Sequence, residues 1–455
     1  MSPDERQEPP PTAPRIIAPG AEPAAPTVAP HIVLPPGASL DEHDELPEFP
    51  RLRPLVLVPV SDGQRQMLLV SDPLGVIPGQ PVLGFEAFAI LQLLDGTVSL
   101  NDIAAVLMRE SKDIRIGSMV REFVRQLDDL LMLDSPKFEQ AYRELREAYH
   151  PLEIRHAVLE GHSYPAEREA LEKFLDAHFA EAEQLRAAAG EPAAPANARP
   201  RAILAPHLDP RRSGVTMARA YLELGTEQGG PLRVVILGTG HGLFGDLFGL
   251  TRKHYQTPLG KLECDTAFVD TLAAALGEDP YHAELAHRDE HSIEFQALYL
   301  QRRFGSWPVR MVPILCGGFT TLLQEGKTPR EDPRVERFVE ALQAAEQRHG
   351  GATIYVAAVD FAHVGPRFGE PKLDERTRHE VEEKDRAALA AAQKGDAEGW
   401  FEAIASHQDS TRVCGFAPTY LLLRATQPGA GRLLRYQQSD EPDGSMVSVA
   451  AMVWP

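Results

Sequence analysis

The C-terminal two-thirds of the chain alternates short apolar runs with amphipathic segments of helical period. Continuous apolar runs suit strands that are buried on both faces, and such strands need a helix layer on each side. The pattern predicts an α/β fold, a three-layer sandwich around a mixed, largely parallel sheet. The predicted strands are Arg201–Ala205, Leu232–Leu237, Val309–Ile314, Thr353–Val359, Leu433–Gln437 and Val447–Val453, and the predicted helices are Val215–Leu224, Asp265–Leu276, Ser292–Phe304, Val335–Gln347, His379–Ala391 and Pro418–Ala425.

The N-terminal part of the chain has a different composition. Residues 1–50 hold 13 of the 39 prolines, and such a stretch cannot bury enough apolar surface to offset its ordering entropy. We expect a disordered, proline-rich leader there. In residues 51–135, two strands followed by three helices predict a small winged-helix-like module. Its predicted elements are the strands Leu55–Val60 and Gln66–Val70 and the helices Phe85–Leu94, Leu100–Leu107 and Ile116–Leu131.

The segment Ile90–Leu107 resembles the helix-turn-helix portion of PqqD-like peptide-recognition domains. The resemblance implies a peptide or protein partner for this module, whereas its mostly apolar pattern suits a packing or oligomerisation module equally well. The second and third helices carry few basic residues, which disfavours DNA binding. We predict a helical linker and domain entry in residues 136–200, and the main domain in residues 201–455.

Charge and cysteine content narrow the classes of partner and compartment. The chain has 46 Lys and Arg against 66 Asp and Glu, a formal net charge of -20, so phosphate backbones and anionic lipids are unfavourable partners. No apolar run is long enough for a transmembrane helix, and the acidic, proline-broken start lacks the features of a signal peptide. Cys264, Cys316 and Cys414 do not make a disulfide framework. We therefore predict a cytoplasmic protein that binds neither nucleic acid nor membranes.

Three apolar runs lead directly into polar residues, namely His207, His241 and Asp360. Ligands of open α/β sheets bind beyond the carboxyl ends of the strands, so these three side chains can share one pocket. A single histidine after a strand is more often a hydrogen-bonded loop residue. The occurrence of three polar strand ends together is what favours a functional site.

Cys414 is a further candidate, because it lies just before the apolar helical segment Thr419–Leu423. A helix N-terminus stabilises a thiolate, and Gly415 would allow the backbone to approach an ion closely. Cys264 and Cys316 are interpreted as buried, inert thiols.

The segment around residues 289–294 opens a predicted helix. Ser292 can cap that helix, and Glu290 and Glu294 lie four residues apart on one face, where the helix dipole favours acids. These features need no functional explanation, whereas nothing structural requires His291 at its position. His363 follows Asp360 by three residues on a predicted strand-exit loop, which again places an acid and an imidazole together.

These segments together resemble the Memo family, whose bacterial members are called AmmeMemoRadiSam system protein B. The resemblance covers about residues 155 to 455 and implies a fold similar to the class III extradiol dioxygenases, which hold non-haem iron. It opens with Arg155-His156-Ala157 through Ser163-Tyr164-Pro165 and continues with "APHLDPRRSG", "LGTGHG", "YQTPLGKL", "DEHSIEFQ", "VPILCGG", "VDFAHVG" and "VCGFAP".

Carried over motif by motif, the resemblance implies His207, His241 and Cys414 as metal ligands. It implies Asp360 and His363 as the pocket acid and histidine and His291 as another pocket histidine; by analogy with the dioxygenases, His363 would be the acid/base residue. The chain departs from the family where "PHAGY" is replaced by Pro-His-Leu-Asp-Pro and where paired histidines are replaced by a single histidine and a glycine.

The resemblance leaves several chemistries open. The comparison with the dioxygenases implies one Fe(II) ion, and a softer thiolate in place of their carboxylate widens the choice to Cu or Zn. A competing ligand set is His207, His241 and Asp360. The first functional hypothesis is a metal-dependent oxidoreductase, dioxygenase-like, that acts on a small-molecule or peptide-derived substrate. The alternatives are a non-catalytic, metal-binding accessory protein and a metal-free hydrolase that uses Cys414, a histidine and Asp360.

Overall fold

The computed structural model describes residues 15–16, 32–33, 46–61, 65–227, 229–243, 245–277 and 279–455. Most of the predicted leader therefore lies outside the described residues. The chain divides into two compact units, residues 1–145 with 369–371, and residues 146–368 with 372–455. None of the helices in the described ranges combines the length and the apolarity needed to cross a bilayer.

The N-terminal unit contains a small antiparallel sheet and a set of short helices, as predicted. Within the described residues its strand order is β1-β3-β4-β5-β2. Ser99 caps helix α2 by accepting a hydrogen bond from the Asp102 N–H. The predicted helix Phe85–Leu94 consists of a 3-10 turn at Phe85–Ala87 followed by an α-helical turn at Phe88–Leu91, so it ends three residues before the predicted end. The elements are β1 (Arg15–Ile16), β2 (Ile32–Val33), β3 (Val56–Ser61), β4 (Gln66–Ser71), β5 (Val82–Gly84), α1 (Phe88–Leu91), α2 (Leu100–Ser111), α3 (Ile116–Asp129) and α4 (Pro136–Tyr149).

The second unit is built on one mixed sheet. Its strands are β6 (Ile154–His156), β7 (Ala202–Ala205), β8 (Leu232–Thr239), β9 (Phe248–Leu250), β10 (His254–Thr257), β11 (Gly260–Cys264), β12 (Val309–Cys316), β13 (Ala352–Ala358), β14 (His363–Val364), β15 (Arg432–Asp440) and β16 (Met446–Trp454). In the described ranges the order is β14-β16-β7-β13-β8-β12-β11-β10-β6, with β15 beside β16 and β9 beside β12. The central strands β7, β13, β8 and β12 are parallel.

Helices cover both faces of this sheet, which confirms the three-layer sandwich. Alternate residues of β8 belong to two different cores, with Val234 and Ile236 in one and Val235 and Leu237 in the other. The first core includes residues of α5 (Arg168–Ala188), α6 (Pro210–Tyr221) and α8 (Ser292–Phe304). The second includes residues of α7 (Thr266–Leu276), α9 (Thr320–Gln324), α10 (Pro333–His349), α11 (Glu375–Gln393), α12 (Ala397–Ala405) and α13 (Phe416–Thr426).

Some elements differ from the prediction for local reasons. Helix α6 begins at Pro210, five residues before the predicted start, because Asp209 caps it and Pro210 occupies its first position. The segment predicted as a linker contains β6, which pairs with β10 in the main sheet. This strand and the β10–β11 hairpin were not predicted, since their three to five residues are too few for a clear periodicity.

The parallel strands determine where the site lies. β7, β8 and β13 run in the same direction, so their carboxyl ends meet at one edge of the sheet. His207, His241 and Asp360 each follow one of these ends by two residues. The fold therefore delivers all three to the crevice in which α/β proteins bind ligands.

Candidate metal centre

His207 is the buried centre of the site. Its side chain is almost fully enclosed, and its Nδ1–H donates to the carbonyl oxygen of Ala358 at 2.8 Å. A carbonyl only accepts hydrogen bonds, so this contact assigns a proton to Nδ1 and places the lone pair of the neutral ring on Nε2. The loop after β7 thus presents Nε2 to the site, and the neighbouring strand directs the ring.

Cys414 and Asp360 both lie beside His207 Nε2. The Cys414 Sγ is 3.5 Å from His207 Nε2, and the Asp360 Oδ2 is 3.6 Å from the same atom. The other oxygen of Asp360, Oδ1, accepts the backbone N–H groups of His207 and Leu208 at 3.0 and 3.1 Å. Asp360 therefore holds the His207 loop in place while one of its oxygens remains near Nε2.

Gly415 allows this approach of Cys414. Its backbone N–H donates to the Asp360 carbonyl oxygen at 3.0 Å. A Cβ at this position would lie 2.7 Å from Val359 Cβ and 2.8 Å from the Asp360 carbonyl oxygen. The glycine thus permits the thiol-bearing segment to pack against the exit of β13.

His241 and His291 form the more open side of the site. Their rings stack with centroids 4.8 Å apart and planes inclined by 15°. Both rings lie edge-on to His207, at centroid distances of 5.2 Å and 5.3 Å. The side chains of His241 and His291 are 42% and 34% exposed, whereas that of His207 is 2% exposed. Solvent would therefore reach an ion held here from the side of these two imidazoles.

The donors form two overlapping groups that share His207. In each group, one ligand atom per residue lies within 4.8 Å of the others; the groups are His207, His241 and His291, and His207, Asp360 and Cys414. Ligands bound at roughly 2.0–2.3 Å to one ion are themselves about 3–4 Å apart. The separations of 3.5 and 3.6 Å around His207 Nε2 fit that requirement.

His363 occupies a different position from the other candidates. Its Nδ1–H donates to the backbone carbonyl oxygens of Phe361 and Arg412 at 2.9 and 3.1 Å. It belongs to neither donor group of the described residues. The His363 imidazole nevertheless contributes, after His207 and His241, to lowering the pKa of Cys414.

The electrostatics of the site favour a thiolate. Burial alone would raise the pKa of Cys414, but His207 and His241 overcome it and lower that pKa to about 5. Burial likewise opposes the charge on His207, yet Asp360 and Cys414 raise its pKa to about 9. Without metal, the pair is therefore a thiolate beside an imidazolium at neutral pH. A metal ion would replace the imidazolium proton, because only a neutral imidazole can coordinate.

The pKa values of the two outer imidazoles are shifted in opposite directions. Burial, opposed by Glu290 and assisted by the neighbouring histidines, lowers the pKa of His291 to about 3. Burial acts in the same direction on His241, but Glu290 and Cys414 raise its pKa above the ordinary value. Because the side chains of His241 and His291 are 42% and 34% exposed, solvent weakens both shifts.

Cys414 also forms part of the wall of a cavity of about 620 Å³. One part of the wall is apolar and the other carries amide and charged groups. The polar part contains several non-glycine residues with positive φ angles close together. Positive φ angles are strained for residues other than glycine. The apolar residues include Phe319, Leu323 and Phe416, and the strained polar residues are Gln408, Asp409 and Arg412, with φ of 53°, 48° and 55°.

Comparison with known proteins identifies the family. The model of the family described as "Memo-like protein" matches residues 155–453, well over half of the chain. The chain belongs to the Memo-like protein family. A MEMO1 family protein of Aquifex aeolicus is 26% identical over 412 residues, covering 89% of this chain and 99% of the relative. A relative from Methanopyrus kandleri is 30% identical over 261 residues, covering 55% of this chain and 82% of the relative.

The Aquifex alignment is too long to be confined to the Memo-like region. A match that covers 89% of this chain must include residues of the N-terminal unit. A Memo-like protein from Thermus thermophilus, 26% identical, covers 73% of this chain and 92% of its own length. The N-terminal extension of this Memo-like chain is therefore matched in at least one relative.

Glu290 is the site residue whose role the sequence did not indicate. It was interpreted as a helix-terminal acid, yet its carboxylate contacts the Nδ1 atoms of His241 and His291. The usable signal was its position next to His291, at a helix start that faces the strand ends. Helix-terminal acids are common enough to conceal such a role.

Proposed function

We propose that this Memo-like protein holds one metal ion on His207, His241 and Cys414 and uses it for dioxygenase-like redox chemistry. The observation that carries the proposal is the crowding of Cys414 and Asp360 at 3.5 and 3.6 Å around Nε2 of His207. A thiolate and a carboxylate repel each other, so their placement around one nitrogen favours a shared cation, which is the imidazolium proton without metal and the metal ion when it replaces that proton.

The same geometry argues against a metal-free hydrolase. In a Cys/His/Asp triad the nucleophile and the acid bind opposite nitrogens of the imidazole, so that the acid orients the ring and the ring takes the thiol proton. Here Cys414 and Asp360 lie beside the same nitrogen, and Nδ1 donates to the Ala358 carbonyl. The arrangement suits coordination better than proton relay.

Fe(II) is the metal that the analogy with the class III extradiol dioxygenases favours, with Cu or Zn as alternatives. Two imidazoles and a thiolate are softer than the two imidazoles and carboxylate of non-haem iron oxygenases, which widens the choice of metal. With three protein ligands, at least one coordination position would remain for substrate or water. A bound Fe(II) would supply redox and Lewis-acid chemistry at that position. Asp360 and His291 are further candidate ligands beside the three proposed ones.

The protein residues around the ion would orient and protonate the substrate. His207 is directed by Ala358, and Asp360 holds the His207 loop through two backbone hydrogen bonds. His363 would serve as general acid/base through Nε2, because its Nδ1–H is used by two carbonyls. The 620 Å³ cavity beside Cys414 would hold a small-molecule or peptide-derived substrate, with an apolar group against Phe319 and Leu323.

A non-catalytic, metal-binding accessory role is the second candidate. It is favoured by the N-terminal module, whose resemblance to peptide-recognition domains suggests a peptide or protein partner. Oxygen uptake separates the two roles: metal-loaded protein that consumes no oxygen with catechol-like and peptide substrates would support the accessory role. Consumption that depends on those substrates would support the enzyme.

The metal assignment is tested by elemental analysis of anaerobically purified protein, with spectra before and after exposure to air. His207→Ala and Cys414→Ser should each lower the metal stoichiometry while the far-ultraviolet circular dichroism remains native. His379→Ala, at a histidine whose side chain is 70% exposed, is the matched control and should retain the metal. Unchanged metal content in both site variants would refute the ligand assignment.

A further inference from the structure

We propose that Glu290 is a positioning residue that sets the tautomer and orientation of His241 and His291 at the same time. The inference rests on the proposed metal site for its functional meaning. The contacts that support it are present in the protein without any ion: the carboxylate is hydrogen-bonded to the His241 ring and makes an ion-pair contact with the His291 ring.

One carboxylate makes all of these contacts. The Nδ1 of His241 lies 3.1 Å from both Oε1 and Oε2 of Glu290, and the Nδ1 of His291 lies 3.2 Å from Oε1. The same oxygens accept backbone N–H groups, with Oε2 bonded to His241 at 2.8 Å and Oε1 to His291 and Ser292 at 2.8 and 2.9 Å. Glu290 thus connects the loop after β8 to the first turn of α8.

The chemistry of a carboxylate determines the tautomers. An ionised carboxylate only accepts hydrogen bonds, so a neutral imidazole facing it through Nδ1 must carry its proton there. The lone pair is then on Nε2 in both rings, as it is in His207. A carboxylate behind a metal-binding imidazole is the common arrangement in metalloproteins, since it fixes the ring and increases its basicity. Here a single buried acid would perform that role for two stacked rings.

Glu294 provides a contrast one helical turn later. It is fully buried and is bonded by the Arg155 guanidinium, the Tyr164 hydroxyl and the backbone N–H groups of Val158 and Leu159. None of these groups is an imidazole of the site. Glu294 therefore supports the fold without contacting the donors, and it is the matched control for Glu290.

The test replaces each acid by its amide. In Glu290→Gln the shape is kept, but the amide NH₂ can donate to Nδ1 and so move the imidazole proton to Nε2, where a metal would bind. Nitrogen-15 NMR of metal-free protein, at alkaline pH where the imidazoles are neutral, should show Nδ1–H in His241 and His291 of the wild type and Nε2–H in the variant. His207 should keep Nδ1–H in both proteins, because its partner is the Ala358 carbonyl.

Binding of Zn²⁺ alone provides the second readout. Glu290→Gln should weaken Zn²⁺ binding by about 10–100-fold, whereas Glu294→Gln should reduce stability and leave both the tautomers and the affinity of the folded protein unchanged. If Glu290→Gln does not fold, Glu290→Asp, which retains the charge but shortens its reach, should weaken Zn²⁺ binding more than Glu294→Asp does.

The outcomes separate this inference from the proposed function. Wild-type protein that binds no metal would end the proposed function, while the NMR comparison would still decide the role of Glu290. Tautomers that are the same in wild type and Glu290→Gln, or equal losses of affinity in Glu290→Gln and Glu294→Gln, would overturn the role assigned to Glu290.

Discussion

The ionisation of Cys414 leads to a prediction that needs no substrate. The pKa of this thiol is about 5 in the protein without metal, because the imidazoles of His207 and His241 stabilise the thiolate. Burial raises the pKa of Cys264 and of Cys316 above their ordinary values and keeps both thiols protonated. Metal-free protein should therefore contain one thiolate at neutral pH, at Cys414.

The lowered pKa of Cys414 can be measured from the pH dependence of the alkylation rate. A thiolate reacts and a thiol does not, so the rate follows the ionised fraction. For an ordinary thiol of pKa about 8.5, the rate should fall about 90-fold from roughly pH 7.5 to roughly pH 5.5. For Cys414, with its pKa of about 5, the rate should fall less than about twofold over the same interval. Because the ratio is taken within one protein, limited access of the reagent cancels.

The assay is timed iodoacetamide labelling of chelator-treated protein, with mass spectrometry of the peptide that contains Cys414. His207→Ala should restore a steep profile, since it removes the nearest cation and leaves the Asp360 carboxylate close to the sulfur. If that variant does not fold, His207→Asn offers a substitution of similar polarity. A wild-type rate that rises about tenfold per pH unit through neutrality would refute the thiolate.

Three further predictions concern stability. Asp385→Asn should remove a decrease in unfolding free energy between about pH 4 and pH 6, because burial raises the Asp385 pKa to about 6. A carboxyl with a raised folded-state pKa stabilises the protein at low pH and loses that contribution as the pH rises through the folded-state pKa. For Asp385 the loss should be ~3 kcal/mol, measured by urea unfolding. A decrease that persists in the variant would contradict this prediction. Gly415→Ala should cost ~1–3 kcal/mol and weaken Zn²⁺ binding, since its Cβ would overlap Val359; native affinity in titrations would contradict the prediction. Glu294→Ala should cost ~3–5 kcal/mol in denaturant unfolding, because it leaves the Arg155 guanidinium buried without its carboxylate; an unchanged midpoint would be the contrary result.

Local sequence patterns predicted most of the large elements. Helix α8 spans Ser292–Phe304 as predicted, and the central strands were found to within a few residues at either end. These elements have strong apolar periodicity and clear end signals, which act over a few neighbouring residues. The short β6 and the β10–β11 hairpin were not predicted, because their pairing partners, and not their own residues, stabilise them as strands.

The sequence by itself determined the α/β class, the helix and strand order, and the delivery of His207, His241 and Asp360 to strand ends, because each follows from local periodicity and from the common direction of parallel strands. Only the tertiary structure decided which atoms meet. The 3.5 Å approach of Cys414 to His207 joins residues 207 positions apart, and the contacts of Glu290 with two imidazoles depend on how α8 packs against the end of β8. Such contacts are set by packing between distant segments, and no short stretch of sequence contains that information.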